Sequence, residues 1–189
     1  MITVPKESSE RFKSSVTEYY RRLSNPYQYL LKDWEIIAVP YTLKAFPELL
    51  NTTPIGYPEG STFNWAGAIT WQNKIVISEY LINSKGWKKH QEIPGAIRHE
   101  LAHAIDQELN YFSASPEFGS LTSKEIVNAK GYHKEKLSFH LNLKNELFAD
   151  IVAYILGGCS WSSYNKPIKE SFPKTIRLVQ QKLKEISQK

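Results

Sequence analysis

Arg98-His99-Glu100-Leu101-Ala102-His103-Ala104-Ile105-Asp106, RHELAHAID in one-letter form, is the stretch on which the reading of this chain turns. On a helix advancing about 100° per residue, His99 and His103 lie roughly 40° apart, so both imidazoles can meet one ion about a turn apart. Glu100 sits on the same flank. Ile97, Leu101 and Ile105 occupy the other side, which would pack on a core and hold the helix still. The helix thus offers two neutral imidazole ligands. It also offers a carboxylate too far round to coordinate but close enough to act on a water at the metal, as zinc chemistry requires.

A catalytic zinc usually takes three protein ligands and leaves one position for water. Asp106 lies seven residues after His99, roughly 10 Å along an unbroken helix axis, too far for one coordination sphere, so a structural or supporting role is expected for it. Glu146 is the better third ligand. It stands in Asn145-Glu146-Leu147-Phe148-Ala149-Asp150, on a separate downstream helix, and Asp150 follows one turn later on the same face. An acidic group there can accept from the far nitrogen of a ligand histidine and so fix its tautomer.

Working outward, the motif helix is predicted from about Pro94, whose fixed φ suits a first turn, to about Leu109. Upstream, Ala68–Trp71 and Lys74–Ser78 are β-favouring runs separated by Gln72-Asn73, a hairpin or two sequential strands. An amphipathic helix is predicted over 8–24, capped by Ser8 or Ser9, with Phe12, Val16, Tyr19, Tyr20 and Leu23 on one face. A buried strand follows over 34–39, then a short helix over 42–50 and a Pro- and Gly-rich loop over 51–61. The polar stretch to about Lys136 reads as loop with a short helix at 123–129. The ligand helix runs from about Asn142 to Leu156 and stops at Gly157-Gly158. An amphipathic helix from Pro173 to Ser187 closes the chain, with Ile176, Val179, Leu183 and Ile186 inward.

The chain of 189 residues fits one domain, with 1–60 as an N-terminal helix, strand and loop, and 60–187 as the catalytic core. Its 41% hydrophobic and 23% charged residues are ordinary for a globular protein, and no apolar run is long enough to span a bilayer. The net charge of +5 comes from basic residues spread along the chain without an aromatic-plus-basic recognition motif, so no nucleic-acid partner is expected. A single cysteine, Cys159, excludes an internal disulfide and reads as a small buried apolar residue rather than a nucleophile.

These residues together resemble the zinc metallopeptidases related to the catalytic domain of anthrax lethal factor, which include the secreted clostridial Pro-Pro endopeptidases. HELAHAID resembles that family's HExxHAxD helix start, NELFADIVAYI its ligand helix, and FPKTIRLVQQKL its closing helix, while GAITWQNKIVIS falls where the family has a strand pair. The motifs keep their order over roughly residues 60–187, about two thirds of the chain. The resemblance implies an α+β, zincin-like domain, with a small mixed sheet whose active-site edge strand packs on the HExxH helix. It implies one zinc ion per chain held by His99, His103 and Glu146, with Glu100 as catalytic base and Asp150 and Asp106 in support. It also implies that Gly67, Ala68, Ile69 and Thr70 form the edge that pairs with an extended peptide or protein substrate. A monomer is expected.

The chain departs from the family at one position. A tyrosine that stabilises the tetrahedral oxyanion stands there seven residues before the glutamate ligand, and here that residue is Phe139. A phenyl ring donates nothing, so the role falls to Tyr132, His133 or His140, of which His140 is adjacent, or is absent. The leading expectation is peptide hydrolysis in which Glu100 takes the proton of a zinc-activated water and passes it to the leaving amine. The alternative is a non-catalytic peptide-binding module of the same fold that retains its zinc. The resemblance favours secretion, whereas the first residues, MITVPKESSERF, lack an apolar signal core, which leaves a cytoplasmic address open.

Overall fold

In the computed structural model, which describes residues 6–55 and 57–187, the central strand is the most deeply buried of its sheet. The first five residues, on which the reading of a missing leader partly rests, lie outside the described residues, as do Gly56, Gln188 and Lys189. Strand β1 (Glu35–Val39) runs parallel to β3 (Lys74–Ser78), and β2 (Ala68–Trp71) pairs antiparallel with the other side of β3. The order β1-β3-β2 makes β3 central and β2 an edge. Alternation along β3 sends Ile75 and Ile77 into the main core and Val76 into a smaller one with Val39, Leu43, Phe46, Leu49 and Ile69. Gln72 and Asn73 both take positive φ, 49° and 57°, the geometry of a two-residue hairpin turn that follows the strands' twist. The expected strand pair is therefore a hairpin.

Helix α1 (Glu10–Arg21) starts at Ser9, whose Oγ accepts from Phe12 N and donates to the buried carboxylate of Glu79. It buries Phe12 and Val16, the leading residues of its apolar stripe. A short α2 (Asn25–Leu30) follows. The short helix expected over 42–50 is instead two 3₁₀ turns, Thr42–Lys44 and Pro47–Leu49, because Pro47 removes an amide donor in its middle and restricts Phe46 before it. A second, unanticipated hairpin joins β4 (Tyr80–Asn83) to β5 (Gly86–Lys89).

The motif helix is α3 (Ile93–Glu108), lying between the sheet and α6 (Lys144–Ile155). The stretch read as loop between them is largely helical: α4 (Pro116–Glu125) and α5 (Tyr132–Lys136) occupy it. Ser115 Oγ caps α4 by accepting from Phe118 N at 3.2 Å, and Phe118 is fully buried, so one cap and one anchor form the helix where the hydrophobic period is weak. After α6, Gly157 and Gly158 take φ of 120° and 140°, a reversal that favours glycine, and α7 (Asn165–Ser171) leads into α8 (Pro173–Ser187). The start of α8 is held by buried Glu125, whose carboxylate accepts from Lys174 N, Thr175 N and Thr175 Oγ1 at 2.7–2.8 Å. Ile176, Val179 and Leu183 of α8 are buried as its periodicity predicts.

One close approach ties this frame to the residues behind the ligand pair. A Cβ on Gly95 would stand 2.4 Å from Cys159 O and 2.5 Å from Ser160 O, both backbone atoms that cannot swing aside. Arg98 Nε locks the same turn by donating to Gly158 O at 2.7 Å. Gly95→Ala is therefore expected to destabilise the fold by about 1–3 kcal/mol, read as a lower thermal midpoint by calorimetry at roughly 2–4 °C per kcal/mol.

Candidate metal centre and its groove

The second and third turns of α3 present His99 and His103, and the first turn of α6 presents Glu146 beside them. His99 Nε2 lies 3.1 Å from His103 Nε2 and 3.1 Å from Glu146 Oε2, and His103 Nε2 lies 3.5 Å from Glu146 Oε1. All three residues offer a ligand atom within 4.8 Å of the others, a group that could hold one metal ion. Two imidazole nitrogens facing each other with a carboxylate across them bring three lone pairs to a point, which only a cation or added protons can satisfy.

Behind this group stands Asp150, fully buried. His99 Nδ1 donates to its Oδ1 at 3.1 Å, His140 Nε2 to its Oδ2 at 2.7 Å, and Ser160 adds its backbone N at 2.7 Å and Oγ at 3.0 Å. Burial alone would push this carboxyl up, but the charge and hydrogen bonds of His99 and His140 outweigh it and hold it well below the usual range. Burial would likewise raise Glu146, and the hydrogen bonds of His103 and His99 hold it low. Fixing Nδ1–H on Asp150 turns the Nε2 lone pair of His99 toward the ligand point.

Glu100 flanks the group from α3. Thr70 Oγ1, on the edge strand, lies 2.8 Å from both Glu100 Oε2 and Glu100 O, so its hydroxyl proton orients the carboxylate from the sheet side. Gly67, Ala68 and Ile69 complete the exposed edge of β2, whose only ladder neighbour among the described residues is β3. Gly67 has no room for a side chain, because a Cβ there would meet the His90 ring at 2.5 Å, and that buried ring is itself anchored 3.2 Å from Ser78 O. Together the ligand group, Glu100 and the edge strand line a groove of about 790 Å³, closed in part by residues of β4, β5 and the 54–66 segment.

Other expected residues are engaged in contacts of their own. Asp106 is buried and spends both oxygens on Ser113, accepting from its N at 2.8 Å and its Oγ at 2.5 Å, so it fixes the turn after α3 and makes no hydrogen bond to a ligand histidine. His140 lines the groove, but its Nε2 is committed to Asp150 and its ring packs against Tyr164 and Phe139. Tyr132 is 56% exposed and does not line the groove, and His133 pairs with Glu170 at 3.5 Å. The Cys159 thiol is buried, which pushes its pKa up and leaves it unreactive. Sequence reasoning missed Ser160 and His90; for Ser160 the available signal was the Gly157-Gly158 reversal that folds the following residues back onto α6.

No protein-family model matches the chain, and no curated protein does. Among solved structures, a Pro-Pro endopeptidase from Paenibacillus alvei is similar in fold, with a TM-score of 0.65 over 95% of each chain at 19% sequence identity. The chain thus has the α+β fold of that structure over nearly its whole length, as the sequence resemblance implied for about two thirds of it.

Proposed function

We propose that the chain is a zinc-dependent endopeptidase related to the lethal factor and Pro-Pro endopeptidase kind. The observation that carries this reading is the convergence of His99, His103 and Glu146 beside Glu100, in a groove bordered by an unpaired strand edge. The donor set fits zinc: two imidazoles and a carboxylate are its usual ligands in hydrolases, and bonds of about 2.0–2.1 Å in a tetrahedron separate neighbouring ligands by roughly 3.3 Å. The two imidazole nitrogens stand 3.1 Å apart, Glu146 Oε2 lies 3.1 Å from His99 and its Oε1 3.5 Å from His103, and one ligand atom from each residue falls within 4.8 Å of the others.

Held by these three residues, zinc supplies Lewis acidity, lowering the pKa of a water and polarising a substrate carbonyl. The edge of β2 pairs with the substrate backbone in extended form, reading no particular side chain, while the groove walls select. Glu100, oriented by Thr70, takes the proton of the attacking water. It then delivers that proton to the amide nitrogen as the C–N bond breaks, giving a carboxylate and an amine. Asp150 holds His99 in one tautomer throughout.

Elemental analysis of the purified protein is expected to find one zinc per chain. His103→Ala is expected to lose it, with affinity falling by more than the about 10- to 100-fold typical of losing a supporting partner. Zinc retained at one per chain in that variant would contradict the ligand set. The alternative of a peptide-binding module draws on Phe139, whose ring lines the groove without a donor.

A further inference from the structure

Among the residues lining the groove, Tyr57, His90, Tyr111 and Tyr164 carry donors that have no part in the chemistry above. We propose that the hydroxyl of Tyr57 is the donor that stabilises the carbonyl oxygen of the bond being cut, the role for which Phe139 has no atom. The inference rests on the endopeptidase reading.

Tyr57 comes from the loop between the 3₁₀ turns and the edge strand, not from either ligand helix. Its backbone N donates to the carbonyl of buried Pro54 at 3.2 Å, a turn that anchors the loop at the groove wall. The side chain lines the groove with His99, Glu100, His103 and Glu146, and its hydroxyl makes no hydrogen bond to a described residue. Tyr57 is 40% exposed, and its partial burial in the groove, followed by the negative charges of Glu100 and Glu146, pushes the phenol above its ordinary value, so it stays protonated at neutral pH. An unpartnered phenol that shares the groove with His99, Glu100, His103 and Glu146 is free to donate to a bound carbonyl.

The other candidates serve less well. Tyr164 packs edge to face against His140, with ring centroids 4.8 Å apart, and that histidine is itself tied to Asp150. Tyr111 lies beyond the end of α3 and is 58% exposed. The His90 ring is occupied with Ser78 and Gly67.

As the water oxygen bonds to the carbonyl carbon, the C=O π pair moves onto oxygen, and Tyr57 O–H donates a hydrogen bond there without giving up its proton. When that pair returns, the C–N bond breaks and nitrogen takes the proton held by Glu100. Loss of a donor that acts only as charge develops lowers kcat rather than raising KM.

The test compares zinc-loaded wild-type protein, Tyr57→Phe and Tyr29→Phe on a peptide that the wild type cuts. Tyr29 is a 71% exposed control outside the groove. Tyr57→Phe is expected to lower kcat by about 10²- to 10³-fold with KM and zinc content unchanged. It should weaken binding of a phosphinic analogue of that peptide, a mimic of the tetrahedral state, by a similar factor in calorimetry. Tyr29→Phe should match the wild type. Wild-type kcat and phosphinate affinity in Tyr57→Phe would overturn the inference while leaving the endopeptidase reading standing. Absence of cleavage by the wild type would overturn that reading and the inference with it.

Discussion

Glu100→Ala is expected to lower peptide cleavage by about 10²- to 10⁴-fold, the usual contribution of a positioned general base, while zinc stays bound at one per chain. The separation of the two effects follows from where Glu100 sits. Its carboxylate is not among the three atoms that converge, and it is held from the other side by Thr70 Oγ1 at 2.8 Å. Removing it takes away the proton acceptor and later donor but no ligand. The fold should tolerate the change, because the side chain borders the groove and the lost hydrogen bond leaves Thr70 Oγ1 still 2.8 Å from the Glu100 carbonyl oxygen. Zinc stoichiometry and cleavage measured on the same preparation check both halves. A variant that loses zinc together with activity would assign Glu100 to the coordination sphere instead.

Asp150→Asn is expected to damage both metal binding and stability. The carboxylate accepts four hydrogen bonds, from His99, His140 and both donors of Ser160, and it is fully buried. An amide of the same shape presents a donor where only donors point toward it, so at least one partner is left unpaired. Each such orphan costs about 1–3 kcal/mol, and loss of the acceptor that fixes a ligand imidazole costs about 10- to 100-fold in metal affinity. Zinc affinity by competition with a chelator and thermal unfolding of the metal-free protein measure the two effects separately. Wild-type values in both would show that Asp150 does not orient His99.

How much of this was legible in the sequence depended on how local each feature is. His99 and His103 are one turn apart within the His-Glu-Leu-Ala-His motif, and α8 is bounded by Pro173 and a regular apolar stripe; both were readable from spacing alone. Helix α4 was not, because Pro116–Glu125 has a weak hydrophobic period, and its real signals were the Ser115-Pro116 start and a single buried Phe118. The β4–β5 hairpin was missed for a similar reason: four-residue strands around a Gly86 turn alternate too briefly to stand out. Least visible were the pairs that hold the site in shape. Thr70 and Glu100 are 30 residues apart, and Glu125 and Thr175 are 50 apart. Periodicity cannot report a partner on another element. Tyr57 shows the same limit: nothing in its Pro- and Gly-rich surroundings marks it as lining the groove.

The central claim is that the converged histidines and glutamate serve peptide hydrolysis. Its most direct test is cleavage of a diverse peptide library by zinc-loaded protein beside zinc-loaded Glu100→Ala. Cuts at defined sites that vanish in the variant are the result expected. An unchanged library with zinc bound at one per chain, or the same cuts made by Glu100→Ala, would contradict it.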